Sequence, residues 1–167
     1  MLKILIPVDG SRSALHAVEH AVQSRVQHNE PLQVHLANIQ PCLPRYVTRF
    51  ASAKSVRMLQ RERSELAMTD AINLLDKAGV PYDVHLQIGN AAEQIVACAE
   101  KTQSQKIMMG TTRKNALSRF FQGSIVSKVM AMTDLPVEVI ARGEAGKFER
   151  FGVPVGLGLT FLWLAVE

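Results

Sequence analysis

Between Met109 and Ser124 the sequence places Gly110 after a short apolar run, Ile107-Met108-Met109. A basic loop with Arg113 and Lys114 follows, then a Gly123-Ser124 pair at what reads as a helix start, with Ile125 the next residue. Glycines let a backbone come close to a ligand, and the free amides of a helix N-terminus attract anions. From Lys101 to Thr133 there is no acidic residue, while Lys101, Lys106, Arg113, Lys114, Arg119 and Lys128 are basic. A one-sided run of this kind can hold phosphate, although a solvated basic face is the commoner outcome. A second chemically loaded turn, Pro7-Val8-Asp9-Gly10-Ser11, lies roughly a hundred residues earlier. Asp9 has the strongest functional claim among the acids; its purely structural role would be to cap the helix that follows. No Ser-His-Asp set or carboxylate pair can be placed with these turns, so the pattern points to binding without a dedicated nucleophile.

The elements that must position these turns alternate. Lys3 to Val8 reads as a strand, and a helix from about Ser13 to Val26 carries Leu15, Val18, Val22 and Val26 at helical spacing, with Ser11 or Ser13 to cap it. A strand from Leu32 to Ile39 follows. Then comes a long charged helix to Lys77, its apolar Val56, Leu59, Leu66 and Leu74 sparse, ended by Gly79 and Pro81. Tyr82 to Ile88 is a third strand, and Asn90-Ala91-Ala92-Glu93 resembles a capping box. Lys106 to Met109, a helix from Ser124 to Met132, and Pro136 to Ala141 complete the series. The spacing predicts an α/β domain with a five-stranded parallel sheet and helices on both faces. With right-handed crossovers, if the first three strands step one way and the chain returns to place strand four beside strand one, the strand order is 3-2-1-4-5, which sets the Asp9 turn beside Gly110 where the order reverses.

At these residues the chain resembles the universal stress protein family, from about Lys3 to Ala141. Ile-Pro-Val-Asp-Gly-Ser at 6–11, Gly89 with its helix, and the block from Met109 to Ser124 before Leu135-Pro136-Val137 carry the likeness. Nucleotide-binding members spell the last block Gly-x2-Gly-x9-Gly-Ser/Thr. Gly110, Gly123 and Ser124 are in register here, and Arg113 replaces the middle glycine. The resemblance implies a Rossmann-like fold, a cytoplasmic role in stress adaptation, and a homodimer through Val137 to Ala141. It also implies an adenine nucleotide as ligand, ATP with or without magnesium.

By position, Pro7, Val8 and Asp9 would lie by base and ribose, and Asn38 would approach the adenine. Met109 and Gly110 would back the ribose and phosphates, with Gly123, Ser124 and Ile125 cradling the phosphates. Arginine forced into a glycine conformation costs about 1 kcal/mol or more, yet its guanidinium can pair with phosphate in bidentate fashion. The alternative is a nucleotide-independent dimeric interaction module, with Arg113 marking a lost pocket. A slow ATPase would need a metal and a positioned water, and nothing beyond Asp9 suggests either.

Other features bound the reading. With 167 residues and a net charge of +4, the chain suits one domain and an anionic small molecule better than nucleic acid. A chain 47% hydrophobic but only 5% aromatic describes an aliphatic interior, as α/β sheets tend to have. Cys42 and Cys98 form no Cys-x-x-Cys pair, and no signal peptide opens the sequence, so a reduced cytoplasmic protein is expected. His16-x-x-Glu19-His20 spells an inverted zinc-peptidase motif. Glu93, the conceivable third ligand, belongs to a helix on the opposite sheet face, so solvent-facing histidines are the better reading. His35 and His85 fall inside strands and are expected to be partnered there. Residues 1–143 form the α/β domain, and 144–167 an apolar extension. Its uncharged run, Phe151 to Val166, falls short of the ~20 residues of a membrane helix and below the ~17 lower limit. A marginal membrane segment, an arm on a dimer partner and a disordered tail all remain open; an interaction or membrane-surface tail is favoured.

Overall fold

The computed structural model describes residues 1–28, 31–44, 52–111 and 124–141. Along them run β1 (Leu2–Pro7), α1 (Arg12–His28), β2 (Leu32–Gln40), α2 (Ala53–Ala78) and β3 (Tyr82–Ile88). After these come α3 (Ala91–Lys101), β4 (Lys106–Thr111), α4 (Ile125–Met132) and β5 (Val137–Ala141). All strand pairs are parallel, in the order β3-β2-β1-β4-β5. This is the order expected for right-handed crossovers with strand four returning beside strand one.

The pleat sorts the core into two layers. Ile4, Ile6 and Val8 pack with α1 and α2, whereas Leu5, Ile107 and Met109 pack with α3 and α4. With both faces covered, the strands read as continuous apolar runs. Each large buried side chain, such as Leu5, Ile6, Leu36 or Ile107, contributes about 1.5–3 kcal/mol.

The inward face of α1 agrees only in part with the apolar spacing, and that of α2 is one the sequence did not mark. On α1 the buried positions are Ser13, Ala14, Ala17, Val18 and Ala21, Leu15 and Val22 pack partly buried against the core, and Val26 is 76% exposed. The i, i+3, i+4, i+7 set is mostly alanine, and small side chains let the helix lie close to the sheet. On α2 the inward positions are Gln60, Ser64, Met68, Ala71 and Leu75, and Leu66 is 71% exposed. Gln60 is held inward because its Nε2 donates to the Pro41 carbonyl at 3.1 Å. As expected, Gly79 ends α2: at φ 60 it allows its own N–H to reach Asp76 O and the Val80 N–H to reach Leu75 O. Asn90 caps α3 by accepting from the Ala92 amide.

Cys98 is buried, and burial pushes its thiol pKa up, as befits a core residue. The chain after Ala141, including the apolar run from Phe151 to Val166, lies outside the described residues. Among the described residues, no helix is long and apolar enough to cross a membrane.

Candidate functional site

A crevice opens between β1 and β4 because the two strands stay in register only briefly. β1 follows β2 from Leu2↔Leu32 to Pro7↔Ala37, and β4 follows β5 as far as Thr111↔Ala141. Between β1 and β4 the register covers only Ile4↔Lys106 and Leu5↔Ile107. Beyond that the carboxyl ends belong to different partners, at the point where the strand order reverses.

The first turn of α1 packs directly on the β4 side of this opening. A Cβ on Gly110 would lie 1.8 Å from the Ser13 carbonyl oxygen and 2.9 Å from the Ala14 nitrogen, both rigid backbone. Gly110 is therefore demanded by helix–strand packing, a requirement distinct from the close ligand approach suggested by the sequence.

The resulting cavity is about 170 Å³. Pro7 lines it from the end of β1 and Asp9 from the turn after it, Met109 and Gly110 from β4, and Ile125 and Val126 from α4. These are two sequence segments brought to one place by the fold. Ser11 and Ser13, read from the sequence as candidate helix caps, also line it, together with Ala14. The Ser11 and Ser13 hydroxyls lie 3.0 Å apart, and Ser11 Oγ accepts from the Ala14 amide.

Asp9 is exposed, and its Oδ1 accepts from the Ser11 amide at 2.9 Å. It braces the turn rather than capping the helix; Ser11 does the capping. Gly10 between them sits at φ 81, a conformation that suits glycine. Ser124 is the N-cap of α4, with Oγ accepting from the Ser127 amide at 3.1 Å. The remaining first-turn amides have no partner within the helix. Ile125, 48% exposed, stands at the mouth.

Two of the residues inferred from sequence play other parts in the geometry. The Val8 side chain is buried on the α1/α2 face, away from Pro7 and Asp9. Asn38 is only 2% exposed; its Nδ2 donates to the Val8 carbonyl at 2.6 Å, and its Oδ1 accepts from Gln40 Nε2 at 2.7 Å. Together with the Val8 amide bonded to Ala37 O, this fixes the end of β1. Arg113 and Gly123 lie outside the described residues.

The histidines are accounted for elsewhere. His16 Nδ1 pairs with Glu19 at 3.2 Å, and His20 leans toward Glu138 rather than standing free in solvent. Glu93 is on α3, across the sheet from α1. His35 Nδ1 lies 3.2 Å from His85 Nε2, so these two partner each other across β2 and β3. Burial, and then the neighbouring His85, push the His35 pKa below its usual value; burial does the same to His85.

Against known proteins, residues 1–141 match the model of the universal stress protein family. The chain belongs to the universal stress protein family. Universal stress protein MJ0531 of Methanocaldococcus jannaschii is 28% identical over 141 residues, covering 84% of this chain and 82% of the relative. The solved structure of hypothetical protein MJ0577 superposes with a TM-score of 0.68 at 24% identity, covering 86% of this chain and 97% of that one. An Arabidopsis thaliana universal stress protein family member, solved with AMP bound, gives 0.62 at 15% identity, with 86% and 94% covered. Universal stress proteins in complex with cAMP and, from Archaeoglobus fulgidus, with dAMP share the fold, at TM-scores of 0.57 and 0.59 and identities of 19% and 17%. The first pair covers 83% of this chain and 95% of the other, the second 84% and 98%.

Proposed function

We propose that this universal stress protein binds an adenine nucleotide, ATP, in the crevice between β1 and β4. The observation that carries the reading is the convergence of the Asp9 turn, the Met109-Gly110 end of β4 and the start of α4 on one cavity. Family members solved with AMP, cAMP and dAMP support the ligand class.

In this reading Asp9 meets the ribose, and Pro7 and Met109 pack against the sugar and base. Ser124 and the first amides of α4 take phosphate oxygens, since free helix amides favour negative charge. Gly123 and Arg113 extend the phosphate loop, and Arg113 pairs with the phosphate tail, with or without magnesium. Asn38 acts at one remove, by holding the Val8 carbonyl. The β5 edge, Val137–Ala141, joins two copies into a dimer. A cytoplasmic setting agrees with the unpaired thiols of Cys42 and Cys98. The role is that of a binding protein rather than an enzyme, as these residues hold a ligand without presenting a nucleophile and its base.

Arg113 at the motif's middle glycine favours a second reading, a dimeric interaction module that works without nucleotide. Titration calorimetry with ATP separates the two. Saturable heat that weakens roughly tenfold in Asp9→Ala, the effect of losing one hydrogen bond to a charged group, supports the first. A folded protein giving no heat at millimolar ATP supports the second.

A further inference from the structure

β3 is an outermost strand of the sheet, with β2 on one side only among the described residues. The Gly89 amide bonds the Gln40 carbonyl. In a parallel pair every second amide points to the neighbouring strand, so those of Val84, Leu86 and Ile88 point to the open edge. The same three side chains share one face, beside Leu36, Asn38 and Gln40 of β2. There they are between 37% and 44% exposed. Tyr82, at the start of the strand, packs against the α1/α2 layer, and the three that follow on that face do not. The opposite edge strand, β5, shows no such row, since Val137 and Val139 pack against the α3/α4 layer. An edge with unpaired amides and an apolar row along one face is a template for an added strand.

The sequence holds a segment suited to that edge. Residues 159–166 contain no glycine, proline or charge, unlike the stretch before them with Pro154, Gly156 and Gly158. Thr160, Phe161, Trp163 and Val166 are strand-favouring types. At a period of two, Phe161 and Trp163 fall on one face. The described chain ends at Ala141 of β5. From there to Leu159 an extended chain reaches roughly 60 Å, at ~3.3 Å per residue. The way from β5 to β3 crosses β4, β1 and β2, about 19 Å at the usual strand spacing. The segment therefore reaches the far edge of its own sheet with slack.

We propose that residues 159–166 dock on the outer edge of β3 in the same chain as an added strand. Phe161 and Trp163 lie over Val84, Leu86 and Ile88, and the segment's main chain takes up the open amides. The docking is independent of the nucleotide crevice, and it leaves β5 as the free edge of the sheet.

Trp163 is the single tryptophan of the sequence, so its fluorescence in the full-length protein reports the docking. Its emission is expected to be blue-shifted and poorly quenched by acrylamide, at any protein concentration and without lipid. Leu86→Lys, which places a charge in the apolar row, should return both properties to those of the urea-unfolded chain. If that variant fails to fold, Trp163→Asp decides, because it alters no residue of the sheet. Amide exchange at Val84, Leu86 and Ile88, slow in the wild type, should become fast in Trp163→Asp. Wild-type Trp163 as open to acrylamide as in urea, or fast exchange at the three amides in the wild type, would overturn the proposal. Shielding that requires phosphatidylglycerol vesicles would place the segment on a membrane instead, and shielding that grows with protein concentration would place it on a second copy. Shielding that survives Leu86→Lys in a folded variant would remove β3 as the docking edge.

Discussion

Gly110 shows how one missing side chain can serve a site without touching its ligand. A methyl there would overlap the carbonyl of Ser13, and neither α1 nor β4 can move without disturbing the core layer between them. Gly110→Ala should therefore lower unfolding stability by about 1–3 kcal/mol, the usual cost of overpacking, read as a lower urea midpoint. A midpoint equal to wild type would mean that α1 does not press on β4 as described. The sequence marked Gly110 as special because of its spacing, but spacing does not say whether backbone or ligand fills the vacated volume. Asn38 carries a similar lesson. A polar residue in an apolar strand reads as a ligand contact, yet its carboxamide is committed to Val8 and Gln40. Its neighbours across the sheet could not be known without the register.

Among the elements, legibility followed how far a local pattern agreed with its surroundings. β3 spans Tyr82–Ile88, as read, because it is bounded by Pro81 and Gly89. The contact face of α2 was not legible. It begins with Gln60 and Ser64, and periodicity counts apolar residues, so Leu59 and Leu66 drew attention although both are exposed. The β2–β3 pair makes a prediction of its own. The bond between His35 Nδ1 and His85 Nε2 needs one donor and one acceptor, so at least one ring must be neutral at the contacting nitrogen.

Both pKa values are lowered in the folded protein, mainly by burial. Between those values and the unfolded value near about 6.5, the unfolded chain binds more protons. Stability is thus fully present above that range and is lost as pH falls through it. Asp83, which lies 3.4 Å from His35 Nδ1, opposes the shift, and Lys3 and Lys101 reinforce it. Urea midpoints should fall from pH 7.5 to pH 5.0, and the fall should shrink in His35→Leu. An equal fall in the variant would place the acid sensitivity elsewhere.

For the whole molecule, the strand order was readable because few topologies accommodate alternating strands and helices with right-handed crossovers. What the alternation could not reveal was the short register between β1 and β4 that opens the crevice. The proposed dimer is argued from the edge. β5 has β4 on one side only in the described sheet, and an unpaired strand edge is a template for pairing. Sedimentation equilibrium of the full chain should give twice the 18.4 kDa chain mass; a monomer at tens of micromolar would remove β5 as the interface.

The central claim is that two distant turns form a single nucleotide site, and amide NMR during an ATP titration addresses it directly. Asp9, Ser13, Met109, Gly110, Ser124 and Ile125 should shift together along one saturation curve, with Lys106 and Glu138 at the far end unmoved. Shifts in only one of the two turns, or none in either, would contradict it.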